Sequence, residues 1–123
     1  MSKFRNKRDV DNKPTRYYSD IQEKRVAKAI GGQQTANSGA TPYDKGDVKD
    51  NNGWRIECKT KTKDSEQFTI KKEWLDKNIS ESIFMKNKYT ALAFNFGPDS
   101  KNYYILDEST FLLAKDLLDE YGE

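Results

Sequence analysis

The sequence predicts a mixed α/β domain, with a central β-sheet and helices on both of its sides. Three observations carry that expectation. The apolar spacing switches along the chain between the period of a helix and the period of a strand. A helix-like segment at residues 71–86 separates two strand candidates and is long enough to cross over a sheet. Residues 89–96 (YTALAFNF) form an almost continuous apolar run, as expected of a central strand buried on both faces.

The elements follow in chain order. Residues 1–17 are polar, basic and without period, and read as a flexible arm before a single domain over 18–123. Ser19-Asp20-Ile21-Gln22 fits a capping box with Ser19 as N-cap. A helix is expected over residues 20–30, burying Ile21, Val26, Ala29 and Ile30, with Gly31-Gly32 as its stop. Residues 33–46 (QQTANSGATPYDKG) read as a loop that passes near a site. Asp47-Val48 and residues 54–59 read as two strands joined by a turn at Asn51-Asn52-Gly53, where Asn-Gly is a hairpin signal.

The crossover helix at 71–86 carries Trp74, Leu75, Ile79, Ile83 and Phe84 as its apolar face. Gly97-Pro98-Asp99 turns the chain after the central strand, and residues 103–106 form a further strand. A closing helix over 109–121 has Phe111, Leu112, Leu117 and Leu118 at its apolar positions. These serve equally as core or as an interface between two copies of the chain. Trp54, Trp74 and Tyr104 are expected in the core rather than against nucleic-acid bases.

Composition narrows the chemistry. The chain of 123 residues is the size of one domain, and its hydrophobic and charged fractions are equal at 34%. It has no histidine and one cysteine, Cys58. Histidine-based triads, imidazole zinc sites and an internal disulfide are therefore excluded, leaving carboxylates, lysine and a hard metal ion for any hydrolytic chemistry. No apolar run approaches the roughly 20 residues that span a bilayer, so no membrane partner is expected. The basic N-terminus has no apolar stretch behind it, so no secretory signal is expected and a cytoplasmic location is the default.

The net charge of +2 is unevenly distributed. Residues 1–30 carry nine Lys/Arg and four Asp/Glu (+5), whereas residues 107–123 carry one Lys and six Asp/Glu (−5). Such asymmetry suits a polyanionic partner at one end, and it suits a solvated basic tail equally well.

The chemically informative stretch is Asp47 followed by Glu57-Cys58-Lys59. A hairpin brings Asp47 and Glu57 within reach of each other. Two carboxylates about 4 Å apart repel by about 4 kcal/mol at an effective dielectric near 20, and a divalent cation between them reverses the sign. Oxygen donors suit Mg²⁺ or Mn²⁺. The backbone carbonyl of Cys58 is placed to be a further ligand, while its thiol points to the opposite face. Lys59 shares the face of Glu57 and can hold a phosphate oxygen or position the attacking water. The plain alternative is an exposed Glu57–Lys59 ion pair beside an ordinary turn acid.

Lys61 and Lys63 continue the face of Lys59, and Lys71 and Lys72 open the crossover helix, where they could meet phosphates or simply be solvated. Glu23 could be a solvated helix charge, and Ser38 a turn former.

The ordered set of Glu23, Asn37-Ser38-Gly39, Lys45-Gly46-Asp47-Val48, Glu57-Cys58-Lys59 and the strand from Ala91 to Phe96 resembles the PD-(D/E)XK nuclease superfamily. Within it, the chain looks most like Holliday-junction resolvases of the archaeal and phage type. The resemblance covers about residues 19–106, and Gly46 stands where the superfamily's name has proline.

The resemblance implies a restriction-endonuclease-like fold and a metal-dependent DNA endonuclease acting on branched DNA such as four-way junctions. By the same likeness Asp47 and Glu57 ligate Mg²⁺ (or Mn²⁺), Glu23 completes the metal shell through water, Lys59 assists the attack, and Ser38 lies near the scissile phosphate. Lys45 and the arm residues Arg5, Lys7 and Arg8 would grip DNA together with the lysines above. Two symmetric nicks imply a homodimer, and no small-molecule cofactor is implied. A nicking, restriction-like or repair nuclease, or a DNA-binding module without catalysis, remains open on the same residues.

Overall fold

A computed structural model of the chain describes residues 14–35 and 47–122. Their order is α1 (Thr15–Ile30), β1 (Gln33–Gln34), β2 (Asp47–Lys49), β3 (Trp54–Lys59), α2 (Lys72–Phe84), β4 (Tyr89–Phe94), β5 (Tyr103–Ile105) and α3 (Glu108–Tyr121). The five strands form one mixed sheet in the order β1-β2-β3-β4-β5. Strands β3 and β4 are parallel, with α2 as their crossover, and the other three pairings are antiparallel. This is the mixed α/β architecture expected from the sequence.

Alternation along β3 sorts the residues to two faces. Ile56 and Cys58 join Val48, Ala91 and Ala93 against Val26 and Ala27 of α1, with Ile30, Trp54 and Leu106 at the margin. This face is the apolar core. On the opposite face Arg55, Glu57 and Lys59 meet α2, together with the fully buried Leu92.

The helix α1 starts at Thr15, five residues ahead of the start at residue 20 expected with Ser19 as N-cap. Pro14 is the N-cap, with φ −67° and ψ 153°. Ser19 sits one turn inside and donates its hydroxyl to the Thr15 carbonyl at 3.2 Å. The reason is packing: Tyr18 is buried and extends the inward stripe of Gln22 and Val26 upstream by one turn. That stripe also corrects the expected face, because Ala29 is exposed and Ile21 only half-buried, whereas Gln22, Glu23 and Ala27 are buried. Gly31 closes the helix in the left-handed conformation (φ +69°), as expected.

Two further expectations are corrected. Gln33 and Gln34, read as loop, form an edge strand against Lys49 and Val48. In α2 the inward residues are Asn78, Glu81 and Ser82, while Ile79, Ile83 and Phe84 are exposed. A sheet face carrying Arg55, Glu57 and Lys59 selects the polar stripe of the helix, so of the expected apolar face only Trp74 and Leu75 stay half-buried. Asn78 donates to the Ala91 carbonyl at 3.1 Å across that interface.

The hairpin turn at residues 51–53 forms as expected. Gly53 takes φ +96°, and the Asp50 carboxylate accepts from the backbone of Asn52 and Trp54. The helix α3 starts at Glu108, capped by the Asp107 side chain, which accepts from Thr110 N at 2.9 Å.

Candidate metal centre

The site is built by the register of β2 on β3. Asp47 pairs with Glu57, Val48 with Ile56 and Lys49 with Arg55. A shift of one residue would send Asp47 into the core and Val48 to the charged face. Alternation then aligns Arg55, Glu57 and Lys59 on the face that carries Asp47. From α2, Glu81 reaches down onto the same spot. Ligand oxygens of Asp47, Glu57 and Glu81 all lie within 4.8 Å of one another. The sequence reading found the first two acids and missed the third.

Two cations thread this group. Arg55, fully buried, places Nη2 2.9 Å from Asp47 Oδ2 and 3.5 Å from Glu81 Oε1. Lys59 Nζ lies 3.4 Å from Glu57 Oε2. Lys77 lies at the exposed rim, 3.9 Å from Glu81 Oε2, so three cations meet the three carboxylates. The carboxylate of Asp47 has its pKa raised to about 9, first through burial, then through the charge and contact of Glu57, with Arg55 opposing. Both Asp47 oxygens are buried without a donor in hydrogen-bonding geometry. The 2.9 Å approach of Arg55 is an ion pair whose angle misses a hydrogen bond. Unfilled carboxylate lone pairs next to two further acids are what a divalent cation with oxygen ligands requires.

Lys59 is held from two sides, by Glu57 and by the Trp74 ring, whose centroid is 4.6 Å from Nζ. Trp74 is therefore a roof over the site lysine rather than a core residue. Beyond it the surface alternates cations and rings. Lys71 lies 5.8 Å from Trp74, Lys61 lies 5.7 Å from Phe68, and Lys101 lies 5.1 Å from Tyr103. Phe68 contacts Phe94, which packs on Phe96 and Tyr103. Tyr104, expected in the core, is 41% exposed on β5.

Glu23 stays apart from the three-acid group. Its carboxylate accepts from Gln34, which also binds Asp20, with both contacts at 3.0 Å. Its pKa is raised by burial, and the charge of Glu57 contributes weakly. The Cys58 side chain is buried in the apolar core, where burial holds the thiol protonated, as expected of a structural cysteine. The strand β3 ends at Lys59, so Lys61 and Lys63 do not continue its face; Lys63 is exposed in the segment that follows, Lys71 is exposed beside Trp74, and exposed Lys72 is engaged with Asp76 at 2.8 Å. Ser38, Lys45, Arg5, Lys7 and Arg8 lie outside the described residues.

Arg55 and Glu81 had a sequence signal. Arg55, Glu57 and Lys59 put three charges in a row on one face of a central strand, and such a face must meet a polar helix stripe. The spacing of Asn78, Glu81 and Ser82 supplies one.

Among the described residues no helix is long and apolar enough to cross a membrane. Comparisons with protein-family models, curated proteins and solved structures return no match to this chain.

Proposed function

We propose that the chain is a Mg²⁺- or Mn²⁺-dependent endonuclease that hydrolyses DNA phosphodiester bonds, with branched DNA as its substrate class. One observation carries the reading: Asp47, Glu57 and Glu81 converge within 4.8 Å, with Lys59 on the same face. A divalent cation held there supplies an activated water and neutralises charge on the reacting phosphate. Asp47 and Glu57 are its carboxylate ligands, with Glu81 able to join them and the Cys58 carbonyl completing the backbone side. Glu23, on α1, serves through water. Lys59 can exchange Glu57 for a phosphate oxygen, because a partly exposed Glu57–Lys59 pair is worth little by itself. The alternating lysines and aromatic rings beyond Trp74 supply phosphate contacts and stacking surfaces. The expected restriction-endonuclease-like topology and the likeness to junction resolvases belong to this same proposal.

A second reading has its own observation. Arg55 beside Asp47 partly balances the charge that a cation would otherwise balance, as a DNA-binding module without catalysis would arrange it. One assay separates the two. Purified chain with Mg²⁺ is offered a four-way junction, a flap, a duplex and a single strand. Symmetric nicks in the junction are expected, and both Asp47→Asn and Glu57→Gln are expected to lower cleavage at least about 100-fold while binding persists. Cleavage of duplex or flap instead reassigns the substrate. Binding without cleavage, unchanged in Asp47→Asn, sinks the nuclease reading.

A further inference from the structure

Three strand ends put one row of side chains beside the metal centre. In the register of the sheet Lys59 pairs with Phe94, and Phe94 with Tyr103. Paired positions share a face, so the row runs from the site lysine to the last strand on the side that carries Glu57. Lys59 and Phe94 are the last residues of the parallel strands β3 and β4. The carboxyl ends of such strands are where open α/β sheets take their ligands. Around this row the rings form a platform. Phe94 lies 5.7 Å from Tyr103 in stacked geometry, and Phe96 meets the two at 5.5 and 5.7 Å. On the other flank Phe68 lies 5.1 Å from Phe94 and 6.2 Å from Trp74. Tyr103 is 42% exposed, and the other four rings are half-buried.

We infer that this platform binds unpaired nucleotides of a DNA strand, with bases stacked on the rings and phosphates held by the lysines between them. Charge selects a polyanion. Lys59 and Lys71 lie over Trp74, Lys61 over Phe68 and Lys101 over Tyr103. Residues 59–72 carry five Lys against Asp64 and Glu66, a balance of +3. The rings select a single strand. A duplex keeps its base faces stacked on one another, whereas an unpaired base brings a π-face together with its own phosphate. An exposed cation–π contact is weak, so each ammonium can move to a phosphate and leave the ring face to a base. Binding to the platform needs only this surface. That the bound strand leads to the scissile bond, so that the branched substrate carries unpaired nucleotides next to the cut, rests on the nuclease reading.

The test is binding of the full chain to a fluorescent oligothymidylate of about 12 nucleotides, read by anisotropy in EDTA, against an abasic strand of the same length and charge. The oligothymidylate is expected to bind at least about 5-fold more tightly than the abasic strand. Tyr103→Ala should remove most of that preference and leave the salt dependence of binding unchanged, because a ring and not a charge is lost. Tyr103→Trp should keep the preference, and Lys101→Ala should lower the salt slope by about 0.7. Both side chains are exposed, so these variants should fold, with circular dichroism as the check. Equal binding of the two strands, binding of neither, or a preference that Tyr103→Ala leaves intact overturns the inference. With Mg²⁺ added, Tyr103→Ala should raise KM for a branched substrate more than it lowers kcat. A chain that prefers the oligothymidylate yet cuts nothing keeps the platform and loses only the nuclease reading.

Discussion

Asp47 keeps its proton in the folded chain to about pH 9, whereas in an unfolded chain it gives the proton up near the ordinary value of 3.8. Between those limits the native state binds more protons than the unfolded one. Its contribution to stability is therefore full below about pH 4 and is lost as pH rises through about 9. A divalent cation takes the place of the proton. Stabilisation by Mg²⁺ should thus be small at pH 5 and grow to at least about 4 °C in melting temperature above pH 8. Melting curves with and without Mg²⁺ across pH check this, and Asp47→Asn should flatten the trend. A cation effect that is equal at pH 5 and 8.5 would place the binding elsewhere.

At the scale of elements, the hairpin and the crossover make the site, and the two were not equally legible. The Asn51-Asn52-Gly53 turn fixes the register, and alternation from it puts Asp47, Glu57 and Lys59 on one face, so that part was readable from the sequence. The orientation of α2 was not readable from apolar spacing alone. Apolar spacing points Ile79 and Ile83 inward, but the buried Arg55 and Asp47 require polar partners, and that requirement turns Asn78, Glu81 and Ser82 toward the sheet. The inward face of α1 was missed for a related reason, since it buries Gln22 and Glu23 beside Val26. Gln22 reaches the carbonyls of Lys59 and Ala93, at 2.8 and 3.3 Å, at the ends of the two parallel strands.

The pairing of α2 with β3 through Arg55 has a measurable consequence. Arg55→Met removes the one buried cation that Asp47 and Glu81 share and leaves Glu81 only the more distant Lys77, so the fold should lose stability. Chemical denaturation should show that loss in the absence of metal, and Mg²⁺ should recover part of it. A loss that Mg²⁺ leaves untouched would mean that Arg55, not a cation, is the partner of the acids.

For the whole molecule, charge and apolar surface are segregated. Lys61 and Lys71 lie beside aromatic rings next to the face that carries the acids, with Lys63 exposed in the segment after β3, whereas the acidic, apolar α3 follows the last strand. If those three lysines each neutralise one phosphate, DNA binding should weaken by about 40-fold between 50 and 200 mM salt. A salt titration of binding measures the slope, and Lys61→Ala with Lys63→Ala should reduce it by about two. An unchanged slope in that variant would move the DNA elsewhere on the surface. The low hydrophobic fraction, 34%, is consistent with a core confined to one side of the sheet. The sequence identified α3 as a helix, but whether its apolar residues faced a core or solvent depended on packing that no local pattern encodes.

The most direct measurement is anomalous diffraction at the manganese edge from crystals of the full chain grown with Mn²⁺. The account predicts a single strong peak between the carboxylates of Asp47 and Glu57, at about 2.0–2.2 Å from an oxygen of each, and its disappearance in Asp47→Asn. Density showing Asp47 still paired with Arg55 and no peak among Asp47, Glu57 and Glu81 would contradict it.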